Sequence, residues 1–142
     1  MEDAVDGGLI GLLGISNVSV DQLDTLLGGV RIRPAFVQNR CLARAGWDAQ
    51  VRAICKTHDI IYQAFSLFSG NRQVLLRSCM TEIADRHNKS VPQVVYRFAL
   101  QLGMLPLTGT TDGAHMLHNL DIFDFTLTHD ETATLLVLGG SR

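Results

Sequence analysis

Short, almost wholly apolar runs alternate along this chain with longer stretches in which apolar residues recur every three or four positions. Leu9 to Ser16 reads LIGLLGIS and predicts a first buried strand. Ser19 and Gln22 have capping-box spacing, so a helix should begin there. Leu23, Leu26 and Leu27 share one of its faces, and Gly28-Gly29 should end it. Pro34 opens a second unit, with a strand over Ala35 to Gln38. Asp48 then has the place of an N-cap, before a helix with Val51, Ile54 and Cys55 on one face. Ile60 to Phe65 predicts the third strand. A polar loop, Ser66 to Asn71, leads to one helix from about Val74 to His87, lined by Leu75, Cys79 and Ile83. Ser90 and Gln93 repeat the capping box, with Pro92 in the first turn, where its missing N–H costs nothing. Val94, Val95, Phe98, Ala99 and Leu102 form that helix's stripe, and Gly103 suits a left-handed residue after it. Met104 to Leu107 is the fourth strand. Thr108 to Asp112 and a short helix through Asn119 follow, and Thr128 with Glu131 opens the last helix.

Apolar strands separated by amphipathic helices imply a parallel sheet covered by helices. Right-handed crossovers bring the C-terminal ends of all strands to one side, where such sheets bind ligands. The residues to inspect are therefore Ser16-Asn17, Gln38-Asn39, Phe65-Ser66 and Gly109-Thr110-Thr111. All are polar, small or aromatic, as a ligand face requires. The same residue types also serve as ordinary caps and turns, so spacing alone leaves both readings open.

The remaining composition narrows the field. The chain has 142 residues, 46% hydrophobic and 18% charged, which is enough apolar material for a core. A net charge of −2 and the lack of a Lys/Arg run argue against nucleic-acid binding. The three cysteines, Cys41, Cys55 and Cys79, are widely spaced and odd in number, as expected for free thiols in a reducing cytosol. Acidic residues follow Met1 where a signal peptide would be basic, and no apolar stretch is long enough for a bilayer. A cytoplasmic protein without membrane association is expected. His58, His87, His118 and His129 read as surface residues, and no metal set is evident.

Four segments in order carry a resemblance. Leu13 to Asn17 followed by Val18 to Leu23 resembles the "GVSN…QL" segment of the aldo-keto reductase family. Pro34 to Gln38 resembles its "PAVNQ" strand, Leu105 to Thr111 its "PIPGT" segment, and Asn119 to Thr128 its "NLxxFDFELS" segment. Each motif is weak alone; the order and spacing of all four make the likeness specific, and it spans residues 1–142. It implies the C-terminal half of a (β/α)8 TIM barrel, with four β/α units and parallel strands. Met1 to Asp6 would be the tail of the preceding helix.

The resemblance also implies an oxidoreductase that reduces an aldehyde or ketone with NADPH. Ser16, Asn17 and Gln38 would hydrogen-bond the nicotinamide carboxamide, which needs both donors and acceptors. Phe65 takes the place of a tyrosine that stacks on the ring; it keeps the aromatic face and loses the hydroxyl. Ser66 to Gly70 matches the pyrophosphate-side loop "SPLGS" without its proline. Gly109, Thr110 and Thr111 would meet phosphate at the start of the next helix. Gly109 and His115 stand where many members have Lys and Arg, which weakens the case for NADP and admits NAD. Asn119 matches the adenine-contacting Asn. The family's catalytic Asp, Tyr, Lys and His belong to the first four units, so no catalytic residue is expected here.

Half a barrel has two open sheet edges and lacks the opposite wall of its interior. Three readings stay open: a truncated reductase that needs the other half to meet a carbonyl substrate, a non-catalytic module that binds nucleotide or associates through its open edges, and an unstable piece of a longer protein.

Overall fold

The computed structural model describes residues 1–140. Its elements follow the predicted alternation: α1 (Glu2–Asp6), β1 (Gly14–Ser16), α2 (Val20–Gly29), β2 (Phe36–Arg40), α3 (Ala49–Thr57), β3 (Ile61–Phe65), α4 (Arg72–Leu75), α5 (Ser78–Arg86), α6 (Val91–Gln101), β4 (Leu105–Pro106), α7 (Gly113–Leu120) and α8 (His129–Val137). A 3-10 segment, Ala43–Asp48, precedes α3. The strands form one parallel sheet in the order β1-β2-β3-β4.

Strand alternation divides the sheet into a covered and an open face. Val37, Asn39, Tyr62 and Ala64 are buried with the helical core, among them Leu23, Val51, Met80, Val94 and Phe98. Phe36, Gln38, Gln63 and Phe65 point the other way and are only half-buried. On that open face Ile61 is 48% and Leu105 42% exposed.

All three capping boxes form. Gln22, Gln93 and Glu131 each accept the N–H of the residue three positions earlier at 2.9 Å. Gly103 has φ +76°, as its place after α6 requires. Glu131 also accepts from His87 Nε2 at 2.9 Å and Arg86 Nε at 3.1 Å, tying α8 to α5. Burial pushes its carboxyl up, but the bonds from His87 and Thr128 outweigh that and hold it below the ordinary range.

Four expectations need correction. The apolar run at Leu9 does not form one strand over Leu9 to Ser16: only Gly14–Ser16 pairs, and Leu9 and Leu12 are 83% and 66% exposed. The N–H groups of Leu9 and Ile10 both go to Ala4 O, so the start of the run closes α1 instead. Gly28 and Gly29 lie within α2, and extended Val30 ends it. The helix over Val74–His87 is two helices, α4 and α5, separated by extended Arg77. Leu75 and Met80 are both buried although five residues apart, which is about 140° around a continuous helix. The break brings both inward. Asp48 precedes α3, but its carboxylate caps nothing.

That carboxylate belongs to a buried polar network. Asp48 Oδ2 accepts from Tyr62 OH at 2.7 Å and Asn39 Nδ2 at 2.9 Å. Asn39 also donates to Val18 O at 2.7 Å and accepts from Val18 N at 2.9 Å. Asn71 does similar work one loop on, donating to Cys41 O and Leu67 O and accepting from Ala43 N. Replacing Asn39 with Ala leaves two buried backbone groups of Val18 unpaired. Urea unfolding should show a loss of about 2–6 kcal/mol, since each unpaired buried group costs about 1–3 kcal/mol.

Candidate functional site

The C-terminal strand ends form two adjoining groups. In the first, Ser16 Oγ donates to Gln38 O at 2.8 Å, and Asn17 Nδ2 donates to Ser16 Oγ at 3.2 Å. Asn17 has φ +57°, a left-handed turn that ends β1, and its N–H also bonds Gln38 O at 3.0 Å. Gln38 Nε2 donates to Gln63 Oε1 at 3.0 Å. Register places Ser16, Gln38, Gln63 and Leu105 side by side across the open face. The Oδ1 of Asn17 and the Oε1 of Gln38 have no partner among the described residues, so both remain acceptors.

The second group lines a cleft of about 560 Å³ between the β3 and β4 loops. Ser66, Gly109, Thr110, His115 and Asn119 all border it. Ser66 turns the chain out of β3 with φ +57°, and the turn closes through Gly70 N to Ser66 O at 2.9 Å. A Cβ on Gly70 would come within 2.5 Å of Leu42 Cδ2 and 2.9 Å of Ser66 O, so any other residue would displace Leu42 and strain the turn. Thr108 Oγ1 accepts from Tyr96 OH at 3.1 Å and Asn119 Nδ2 at 3.0 Å, fixing Asn119 against the end of β4. Phe65 joins the two groups from the end of β3. Thr111 stands beside the cleft and does not line it.

The start of α7 differs from expectation. Asp112 caps it, and Asp112 Oδ1 accepts from Ala114 N at 2.8 Å and His115 N at 3.2 Å. These N–H groups, expected to be free for phosphate, are taken by a carboxylate. The bonds from His115 and then Ala114 hold that carboxyl below its usual range. His115 Nδ1 lies 3.9 Å from Asp112 Oδ2.

Sequence reasoning missed two features. Arg40 shares the open face with Gln38, and its guanidinium carbon lies 5.6 Å from the centre of the Phe65 ring. Strict alternation from Gln38 was the signal for it. His118 is exposed, as expected of a surface residue, and also borders the cleft. Neither tyrosine stands free as a proton donor. Tyr62 lies on the covered face; burial, then its bond to Asp48, pushes its hydroxyl well above the usual range. Tyr96 OH is engaged with Thr108. Among the described residues no cluster of His, Cys, Asp or Glu could hold a metal ion, and no helix is long and apolar enough to cross a membrane.

Residues 1–137 match the model of the aldo/keto reductase family. The chain belongs to that family. It is 34% identical over 132 residues to glyoxal reductase of Bacillus subtilis, covering 92% of this chain and 47% of that protein. Aldose reductase B of Dictyostelium discoideum is 30% identical over 132 residues, covering 92% of this chain and 42% of that one. Among solved structures, an aldo-keto reductase of Bombyx mori in complex with NADP superposes with a TM-score of 0.87 at 26% identity, covering all of this chain and 49% of that one. The aldose reductase of Schistosoma japonicum superposes with a TM-score of 0.89 at 27% identity, over 100% of this chain and 46% of that one. The chain thus spans about half the length of the relatives it matches. Its four-stranded parallel sheet and helices correspond to half of the TIM barrel of this oxidoreductase family.

In this aldo-keto reductase half, α7 buries none of its residues and depends on a few polar ties. Thr108→Val removes the acceptor shared by Tyr96 and Asn119. Amide exchange in α7 should speed up about five- to tenfold, matching about 1 kcal/mol for a lost hydrogen bond, while exchange in β2 stays unchanged.

Proposed function

We propose that this chain is the dinucleotide-holding half of an NAD(P)H-dependent carbonyl reductase and does not turn over substrate alone. The observation that carries the reading is the layer formed by Ser16, Asn17 and Gln38. It offers free amide acceptors and hydroxyl chemistry on the open face, and a separate cleft of nucleotide-like size lies between the β3 and β4 loops at the same end of the sheet. A nicotinamide carboxamide needs this mixture of donors and acceptors. Bound NAD(P)H supplies a hydride; the residues here would bind and orient it, with the face of the Phe65 ring turned away from Arg40 as a stacking surface. Ser66, Gly109, Thr110 and Thr111 would follow the pyrophosphate, and Asn119 the adenine.

The adenosine end fits a 2′-phosphate less well. Gly109 brings no charge, and His115 stands beside the Asp112 carboxylate. NADP is the expected cofactor from the family, and these departures bring NAD within range. A small aldehyde or ketone would be reduced to its alcohol once the other half-barrel supplies a proton donor. The engaged hydroxyls of Tyr62 and Tyr96 support an inactive isolated chain. Three free cysteines, two of them buried, suit the reducing cytoplasm.

A second reading adds association with another half-barrel, its own copy or a different chain. Exposed Ile61 and Leu105 on the open face, together with the edges of β1 and β4, which pair with nothing further among the described residues, favour it.

Titration of the purified chain by nucleotide fluorescence should show NADPH and NADH binding within about tenfold of each other. Gln38→Ala should weaken both about tenfold, as loss of one well-placed hydrogen bond implies. Oxidation of NADPH with a reactive aldehyde should stay at background. Absence of dinucleotide binding, or clear turnover, contradicts the proposal.

A further inference from the structure

Arg40 ends β2, two residues beyond Gln38 and on the same open face. Two strand residues span about 6.6 Å. Arg40 therefore stands one layer nearer the mouth than the amide layer. Its register partner on β3 is Phe65, whose ring backs the guanidinium at 5.6 Å. Such stacking holds a planar cation in place while leaving its edge N–H groups free.

Nothing among the described residues uses that edge. Arg31, Arg52, Arg86 and Arg97 each donate to a protein acceptor. Arg40 has neither an ion pair nor a side-chain acceptor among these residues. Other arginines without an ion pair, such as Arg33, Arg44 and Arg72, lie on a loop, the 3-10 segment and a helix, not on a strand of the open face. Arg40 differs in being stacked at the mouth, beside the residues expected to hold the nicotinamide. A forked donor there matches a planar carboxylate, which accepts two parallel N–H bonds.

We infer that Arg40 is a specificity-determining residue that selects carbonyl substrates bearing a carboxylate. The inference rests on the strand ends being the reductase's cofactor and substrate mouth. A dinucleotide phosphate is the competing anion. Position favours the substrate: the phosphate-side cleft lies between the β3 and β4 loops, and Arg40, on β2, does not line it. A substrate lying over the nicotinamide toward the mouth would extend its carboxylate to this guanidinium.

The test compares 4-acetylbenzoate with acetophenone, two ketones that differ by one carboxylate. Each is titrated into the purified chain by ligand-observed NMR, with and without saturating NADP⁺. Wild type should bind 4-acetylbenzoate at least about tenfold more tightly than acetophenone, and added salt should narrow the gap. Arg40→Gln should abolish the preference with its circular dichroism and NADP⁺ affinity unchanged within about twofold. Arg40→Lys, which keeps charge and loses the fork, should retain only part of it. Equal binding of the two ketones by wild type overturns the inference. So does a preference that survives Arg40→Gln, or a loss of NADP⁺ affinity in that variant as large as the loss for 4-acetylbenzoate. The two proposals separate cleanly: a carboxylate preference without NADP⁺ binding sustains Arg40 and removes the cofactor reading, whereas NADP⁺ binding without the preference does the reverse.

Discussion

Asn39 is buried at the end of β2, and its amide joins three segments that would otherwise meet only through apolar packing. It bonds both backbone groups of Val18 and the carboxylate of Asp48. The turn after β1 is thereby fixed to β2, and both to the start of α3. The β1–β2 register and the bonds from Ser16 Oγ and Asn17 N–H to Gln38 O set Ser16, Asn17 and Gln38 in one layer, and this clamp holds the next residue, Val18. Without it the chain leaving the left-handed turn at Asn17 would lose both backbone partners of Val18. Asn71 repeats the device between the 3-10 segment and the loop after β3. A parallel sheet aligns its strand ends; these two buried amides hold the loops that leave them.

The open face follows from the same geometry. Helices cover one side of the sheet, and Val37, Asn39, Tyr62 and Ala64 are buried there. The other side carries the polar layer, Arg40 stacked on Phe65, and the exposed Ile61 and Leu105. In a closed barrel such a face is the interior, where side-chain layers from opposite strands fill the space. Here the mouth end of that face carries Arg40 and the amide layer, with Leu105 beside it, and Ile61 lies below.

Much of this was legible in the sequence, because the signals were local. A capping box needs only residues three apart, and those at Ser19, Ser90 and Thr128 formed. Gly103 likewise took the conformation that its place after a helix asks for. The misreadings arose where distant partners decided. Leu9 to Leu13 are as apolar as a strand, but the end of α1 captures their first N–H groups. The periodicity of Leu75, Cys79 and Ile83 is helical, yet burying both Leu75 and Met80 required a break. Asp48 has a cap's position and identity, but Tyr62 and Asn39 claim its carboxylate. The residues at the start of α7 suggested free N–H groups, and the same Asp112 that begins the helix occupies two of them. Of the candidate site, order and spacing mark the strand-end residues, and the resemblance alone suggests their roles. Arg40 was passed over because its significance lies in the neighbouring strand.

The central claim is that the strand ends of this aldo-keto reductase half form one dinucleotide cradle. Nitrogen-15 NMR of the chain during addition of NADPH tests it most directly. The account predicts saturable shifts in the side-chain amides of Asn17, Gln38 and Asn119 and in the backbone of Ser66 to Gly70 and Gly109 to Thr111, with the N-terminal ends of the strands unmoved. Shifts confined to other surfaces, or spectra unchanged at millimolar NADPH, would contradict it.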